Sequence, residues 1–209
     1  MVSLAISYVS VCAGLATAPI PRADSVVALY QGGKTWEEFF AGASTRKEMW
    51  KGNYDRGAPA ALLAARAKAV PGSWRILAVA EDWCGDSANT VPYLVRLTEQ
   101  APNLEIRIVN SKIGRWVMER HKTPDGRAAT PTIVLLDQDG RERGCFVERP
   151  ATLRAWVAEN KPKLSEDDFQ TAKMAWYRED RGAATVAELV DLLEKAGAGA
   201  GGCSSPPGA

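Results

Sequence analysis

The chain has 209 residues, 46% of them hydrophobic and 24% charged. These are the proportions of a folded globular protein, not of a disordered, collagen-like or polytopic membrane chain. Lys plus Arg number 26 and Asp plus Glu 25, a net charge of +1, so nothing draws the whole chain to nucleic acid, an anionic membrane or an acidic substrate. Four cysteines are too few for a disulfide scaffold.

Residues 1–21 carry no charged side chain, and Arg22 is the first. Ala16-Thr17-Ala18 has the small-x-small form of a signal-peptidase site. However, no Lys or Arg precedes it and Pro19 would follow the cut. Cys12 follows the bulky Val11, a poor lipobox. Ser3, Ser7 and Ser10 interrupt the apolar run, which argues against a stable membrane span. Residues 1–24 thus read as an extension or a weak signal peptide. The cytoplasm is the expected location, with export the alternative.

Thr35-Trp36-Glu37-Glu38 is a capping box that opens a helix, and Thr45 with Glu48 offers a second. Pro59 suits the first position of a third helix. Pro71-Gly72 breaks the chain. Residues 75–80 form an apolar run suited to a strand buried on both faces. A helical stretch containing Pro92 follows to about Gln100. Residues 104–109 read as a strand, and Ser111 can cap a helix to about His121. Residues 132–137 and 141–147 form a hairpin around Asp139-Gly140. A helix covers 151–159, Ser165 opens another, and Thr185 with Glu188 opens the last. Val186, Leu189, Val190 and Leu193 share one face of that last helix. This order implies a parallel sheet ending in an antiparallel hairpin. Residues 25–196 read as one domain. Residues 197–209, GAGAGGCSSPPGA, read as a flexible tail with Cys203 as a passenger thiol.

Trp83-Cys84-Gly85-Asp86-Ser87 falls at a strand-to-helix junction. Free backbone N–H groups at a helix start favour thiolate over thiol, which makes a cysteine there nucleophilic. This stretch resembles the thioredoxin family, whose Trp-Cys-Gly-x-Cys motif occupies the same junction. Pro92 falls where that family carries its helix-kinking proline. Thr130-Pro131-Thr132 stands where it has its cis-proline. The resemblance covers about residues 74–160. A branch reading Glu-Asp-Trp-Cys-Gly-Asp, with added N-terminal helices and a C-terminal helical pair, extends it to 35–69 and 165–195. It implies an α/β thioredoxin-like fold, a central mixed sheet flanked by helices.

The resemblance also implies a site. Cys84 and Ser87 are the candidate catalytic residues. Trp83, Gly85, Asp86, Thr130 and Pro131 are the candidate substrate-binding residues. A cis bond before Pro131 would let the backbone of Thr130 pair with an extended substrate beside the sulfur. Ser87 stands where dithiol members have their second cysteine, so intramolecular release of a mixed disulfide is lost. Its hydroxyl can still donate to the thiolate. Ala78 replaces the family's buried carboxylate, and Glu81 or Asp82 are either substitutes for it or solvated loop charges. Asp86 would help the helix and oppose the thiolate.

Two function classes remain. One is a monothiol oxidoreductase in which Cys84 attacks a disulfide or capped thiol on a protein substrate and a small external thiol resolves the intermediate. The other is a redox-inactive module that binds through the cis-proline groove. A one-cysteine peroxidase fits poorly, since Asp82-Trp83 rather than Pro and Thr precede the cysteine. Cys145 reads as a core or edge thiol rather than a resolving one, and His121 as a cation at a helix C-terminus. Cys84, Cys145 and His121 lack metal-ligand spacing, so neither metal nor cofactor is expected. The remaining helical tryptophans, Trp50 among them, read as packing anchors. A monomer is expected.

Overall fold

A computed structural model describes residues 25–203. The N-terminal extension and signal-peptide reading, and the last six residues, lie outside them. Four helices come first: α1 (Val26–Gln31), α2 (Trp36–Gly42), α3 (Lys47–Arg56) and α4 (Ala61–Ala69). The sheet and its helices follow as β1 (Trp74–Val79), α5 (Gly85–Ala88), α6 (Val91–Gln100), β2 (Leu104–Val109), α7 (Arg115–Arg120), β3 (Thr132–Leu136) and β4 (Glu142–Val147). The chain ends with α8 (Ala151–Asn160), α9 (Glu166–Asp180) and α10 (Ala183–Gly197).

The sheet order is β2-β1-β3-β4. β1 and β2 are parallel, but β3 runs antiparallel to β1, as β4 does to β3. This corrects the parallel arrangement read from the element order and gives the mixed sheet of the implied fold. The six residues of α7 return only about 9 Å, less than the roughly 20 Å of β2, and residues 121–131 do not complete the return. Thr132 pairs with Val79, so the chain enters β3 near the end where β1 and β2 finish.

Alternation along the buried strands splits the core into two layers. Ile76, Ala78, Ile133 and Leu135 face one layer with Trp36, Trp50, Leu94, Leu97 and the apolar stripe of α10. Leu77, Val79, Val134 and Leu136 face the other, with Val26 and Tyr30 of α1 and Val117 and Met118 of α7. Trp50 is fully buried, and truncating such a side chain to alanine costs about 3–5 kcal/mol.

The capping box at Thr35 is formed in both directions. The one expected at Thr45 is not. α3 starts after Arg46, which sits in the left-handed region at φ 50°, with no side-chain cap. The N–H groups of Ser44 and Thr45 instead donate to Asp82 Oδ2, at 2.7 and 3.0 Å. The Thr45 N–H that the box would give to Glu48 is thus taken by Asp82, which holds both amides on one carboxylate oxygen. Ser111 likewise does not cap α7. Its N–H and hydroxyl donate to Glu81 Oε1, at 2.7 and 2.6 Å. α1, which the sequence pattern does not announce, is capped by Ser25. Pro59 precedes α4 rather than opening it, and α10 begins before Thr185. The helical stretch after Cys84 is divided at Asn89-Thr90, and Pro92 lies in the first turn of α6.

Candidate functional site

β1 ends at Val79, and the loop 80–83 carries the chain to Cys84, the N-cap of α5. Cys84 is half-buried and is the free cysteine among the described residues. Its Sγ accepts the Ser87 N–H at 3.4 Å and as a thiol donates to the Thr130 carbonyl oxygen at 3.3 Å. The Thr130-Pro131 bond is cis, as expected from the sequence. Thr130 is half-buried, Pro131 is buried, and Trp83 is 58% exposed. Gly85 is half-buried. A Cβ on it would meet Met174 Cε at 3.9 Å and the Arg46 guanidinium carbon at 4.0 Å.

Three sequence-based expectations need correction. Ser87 is fully buried, and its hydroxyl is turned to the Glu81 N–H at 3.5 Å, so it meets Cys84 through its backbone amide instead. Asp86 does not line a surface. It is buried, with Arg149 at 3.0 Å, Lys173 at 3.4 Å and the Tyr177 hydroxyl at 2.9 Å. Its charge is compensated there rather than directed at the sulfur. Cys203 is not a passenger thiol, because it forms a disulfide with Cys145. That pairing also leaves Cys145 no free thiol with which to resolve an intermediate on Cys84.

Glu81 and Asp82 are not merely solvated. Each anchors backbone of another segment, Glu81 at Ser111 and Asp82 at Ser44 and Thr45. Partial burial alone would raise the Asp82 pKa, but the Ser44 and Thr45 amides outweigh it and hold the carboxyl below its ordinary value. Burial, reinforced by the Asp86 charge, pushes the Tyr177 phenol well above its usual range, so Tyr177 stays a neutral donor.

Several residues around the motif carry no signal of their own in the sequence. Arg46 Nε donates to the Trp83 carbonyl at 2.6 Å, and Trp50 Nε1 to the Asp82 carbonyl at 2.9 Å. Asn53 of α3 is buried and donates to the Ala88 carbonyl at 2.8 Å. Lys173 and Tyr177 come from α9, and Arg149 from the turn after β4. Most of them lie in the segments added to each end of the core, and that membership is the only hint the sequence holds. Among the described residues no helix is long and apolar enough to cross a membrane.

A family model described as thioredoxin matches residues 33–164. No curated protein matches the chain. A crystal structure of a protein of unknown function from Pseudomonas aeruginosa is similar at 20% identity and a TM-score of 0.61. The match covers 82% of this chain and 98% of that one. A crystal structure of an HIV epitope scaffold is similar at 19% identity and a TM-score of 0.62, covering 81% and 98%. At these identities the two structures speak for the fold alone.

Proposed function

This chain belongs to the thioredoxin family, and on that premise we propose that it is a monothiol thiol-disulfide oxidoreductase with Cys84 as nucleophile. The observation that carries this reading is the pair of contacts on Cys84 Sγ, one to the Ser87 amide and one to the carbonyl of Thr130. The carbonyl accepts the proton of the resting thiol. The amide remains to stabilise the thiolate once that proton has left. The same Thr130 backbone is placed to pair with an extended substrate beside the sulfur, and the exposed Trp83 offers it an apolar wall.

In the first step the Cys84 thiolate attacks one sulfur of a substrate disulfide. The Cys84–substrate bond forms, the substrate S–S bond breaks, and the leaving thiolate takes a proton from water. Ser87 cannot attack this mixed disulfide. An external small thiol, as its thiolate, attacks the substrate sulfur, restores Cys84 and leaves as a mixed disulfide with the substrate. A glutathionylated or otherwise capped protein thiol enters the same cycle.

The test has two parts. Alkylation of Cys84 should be faster than that of an unstructured peptide thiol at the same pH. Disulfide reduction with a small-thiol donor should vanish in Cys84→Ser. Slow alkylation, with reduction by the wild type no faster than by the small thiol alone, would leave the cis-proline groove as a binding surface only.

A further inference from the structure

A second group of sulfur, nitrogen and oxygen donors lies away from the motif. β4 pairs with β3 so that Cys145 faces Val134 and Glu142 faces Leu136. The register shifts between these pairs, and Arg143 is the extra residue. Without that bulge, residues three apart on a strand would point to opposite faces. With it, Glu142 and Cys145 share the face on which Val134 and Leu136 pack with Val117 and Met118 of α7. His121, the single histidine of the chain, follows α7 directly on that side. The segment after α10 brings Cys203 to Cys145.

We propose that His121, Glu142, Cys145 and Cys203 bind a zinc ion when the Cys145–Cys203 pair is reduced. One ligand atom from each residue lies within 4.8 Å of all the others. Tetrahedral zinc, with bonds of about 2.0–2.3 Å, needs ligand atoms roughly 3–4 Å apart, which small side-chain rotations would supply. His121 is buried, and its Nε2 has no hydrogen-bond partner. It stands 2.8 Å from Glu142 Oε2 but off the line that an N–H···O bond requires. A buried ring nitrogen without a hydrogen-bond partner, beside a carboxylate and two sulfurs, is a donor set that a cation satisfies.

Two thiolates and an imidazole select zinc over magnesium or calcium. Four protein donors close its coordination shell, so the ion is structural. It would fasten the end of the chain to edge strand β4 in the reduced protein, as the disulfide does in the oxidised one. The two states exclude each other, because a sulfur in a disulfide is not a thiolate. Cys84 lies outside the group, so the site does not depend on the proposed activity.

The experiment uses the full chain carrying Cys12→Ser and Cys84→Ser, which removes the two thiols outside the group. A phosphine and one water reduce the disulfide to two thiols and leave as the phosphine oxide. The chain is then titrated with zinc against a chromophoric chelator, and with cobalt in parallel. One ion per chain is expected, with release of the two thiol protons. Cobalt should show thiolate charge transfer and tetrahedral ligand-field bands. Cys203→Ser and His121→Ala should each weaken binding by roughly a hundredfold or more. Failure of the reduced chain to take up zinc, equal uptake by the oxidised chain, or unchanged affinity in Cys203→Ser would overturn the site. Cys203 follows the last helix, so its replacement leaves the core intact, which circular dichroism verifies.

Discussion

Arg46 Nε donates to the Trp83 carbonyl oxygen at 2.6 Å, so the segment before the sheet grips the backbone one position ahead of Cys84. Hydrogen bonds cross this junction both ways. Trp50 donates to the Asp82 carbonyl, while the Asp82 carboxylate receives the amides of Ser44 and Thr45. Helices outside the minimal sheet core therefore fix the loop that presents the sulfur.

The left-handed backbone at Arg46 allows a test of that grip. Arg46→Ala and Arg46→Gly both remove the bond to Trp83. Only alanine keeps a Cβ at φ 50°. In urea unfolding, Arg46→Gly should be the more stable of the two by about 1 kcal/mol. If alanine proves equal or better, residue 46 does not hold that conformation in solution.

Asp82 ties the loop to pH. Its folded pKa lies below the ordinary value because the Ser44 and Thr45 amides outweigh its burial. A depressed carboxyl stabilises the fold fully above its unfolded value, about 3.9. That contribution is lost as pH falls through the folded value. Asp82→Ala should cost about 1–2 kcal/mol at neutral pH, as lost caps do. The gap to the wild type should stay constant above about pH 5 and close as pH falls below about 4. A gap that persists unchanged in acid would mean that the carboxylate charge plays no part.

The fold was legible because its signals are local. The apolar run of β1, the Pro92 and Pro131 positions and the stripe of Val186, Leu189, Val190 and Leu193 each state their role within a few residues. What stayed hidden depends on contacts between distant segments. Asp86 reads as a surface residue until Arg149 and Lys173 arrive from far along the chain to bury it. Thr45 reads as a cap until Asp82 takes its backbone N–H and the helix starts, uncapped, after Arg46. Cys203 sits in a glycine-rich tail, and no local pattern points to its pairing with Cys145.

The buried ion group behind the motif should show strong asymmetry between its members. Asp86→Asn leaves Lys173 without its carboxylate in a low-dielectric site and leaves Arg149 with Glu148 alone. Removing one partner of a buried pair costs about 3–5 kcal/mol. Tyr177→Phe removes a single hydrogen bond to the same carboxylate and should cost about 1–2 kcal/mol. Thermal and urea unfolding of the two variants measure the difference. Equal effects would show that the charges are solvated rather than enclosed.

Ser87→Cys tests whether one missing sulfur separates this chain from a dithiol reductant. Position 87 lies one turn along from Cys84, and its backbone nitrogen is 3.4 Å from the Cys84 sulfur. A thiol there would start from a fully buried side chain and would need only to rotate from the Glu81 amide toward Cys84. Cysteine is larger than serine, so a modest loss of stability is expected. In exchange, the thiolate introduced at position 87 could attack the Cys84 sulfur of the mixed disulfide. The Cys84–substrate bond would break, an intramolecular disulfide would form, and the substrate would leave as a free thiol. An external dithiol would then restore the pair. Insulin reduction with such a donor should therefore rise above the wild-type rate, while Ser87→Ala should stay near it. No gain in a folded Ser87→Cys would point to Ala78, where a carboxylate that could assist proton transfer is lacking. Adding Ala78→Asp to Ser87→Cys should then raise the rate, and a double variant no faster than wild type would rule out release from position 87.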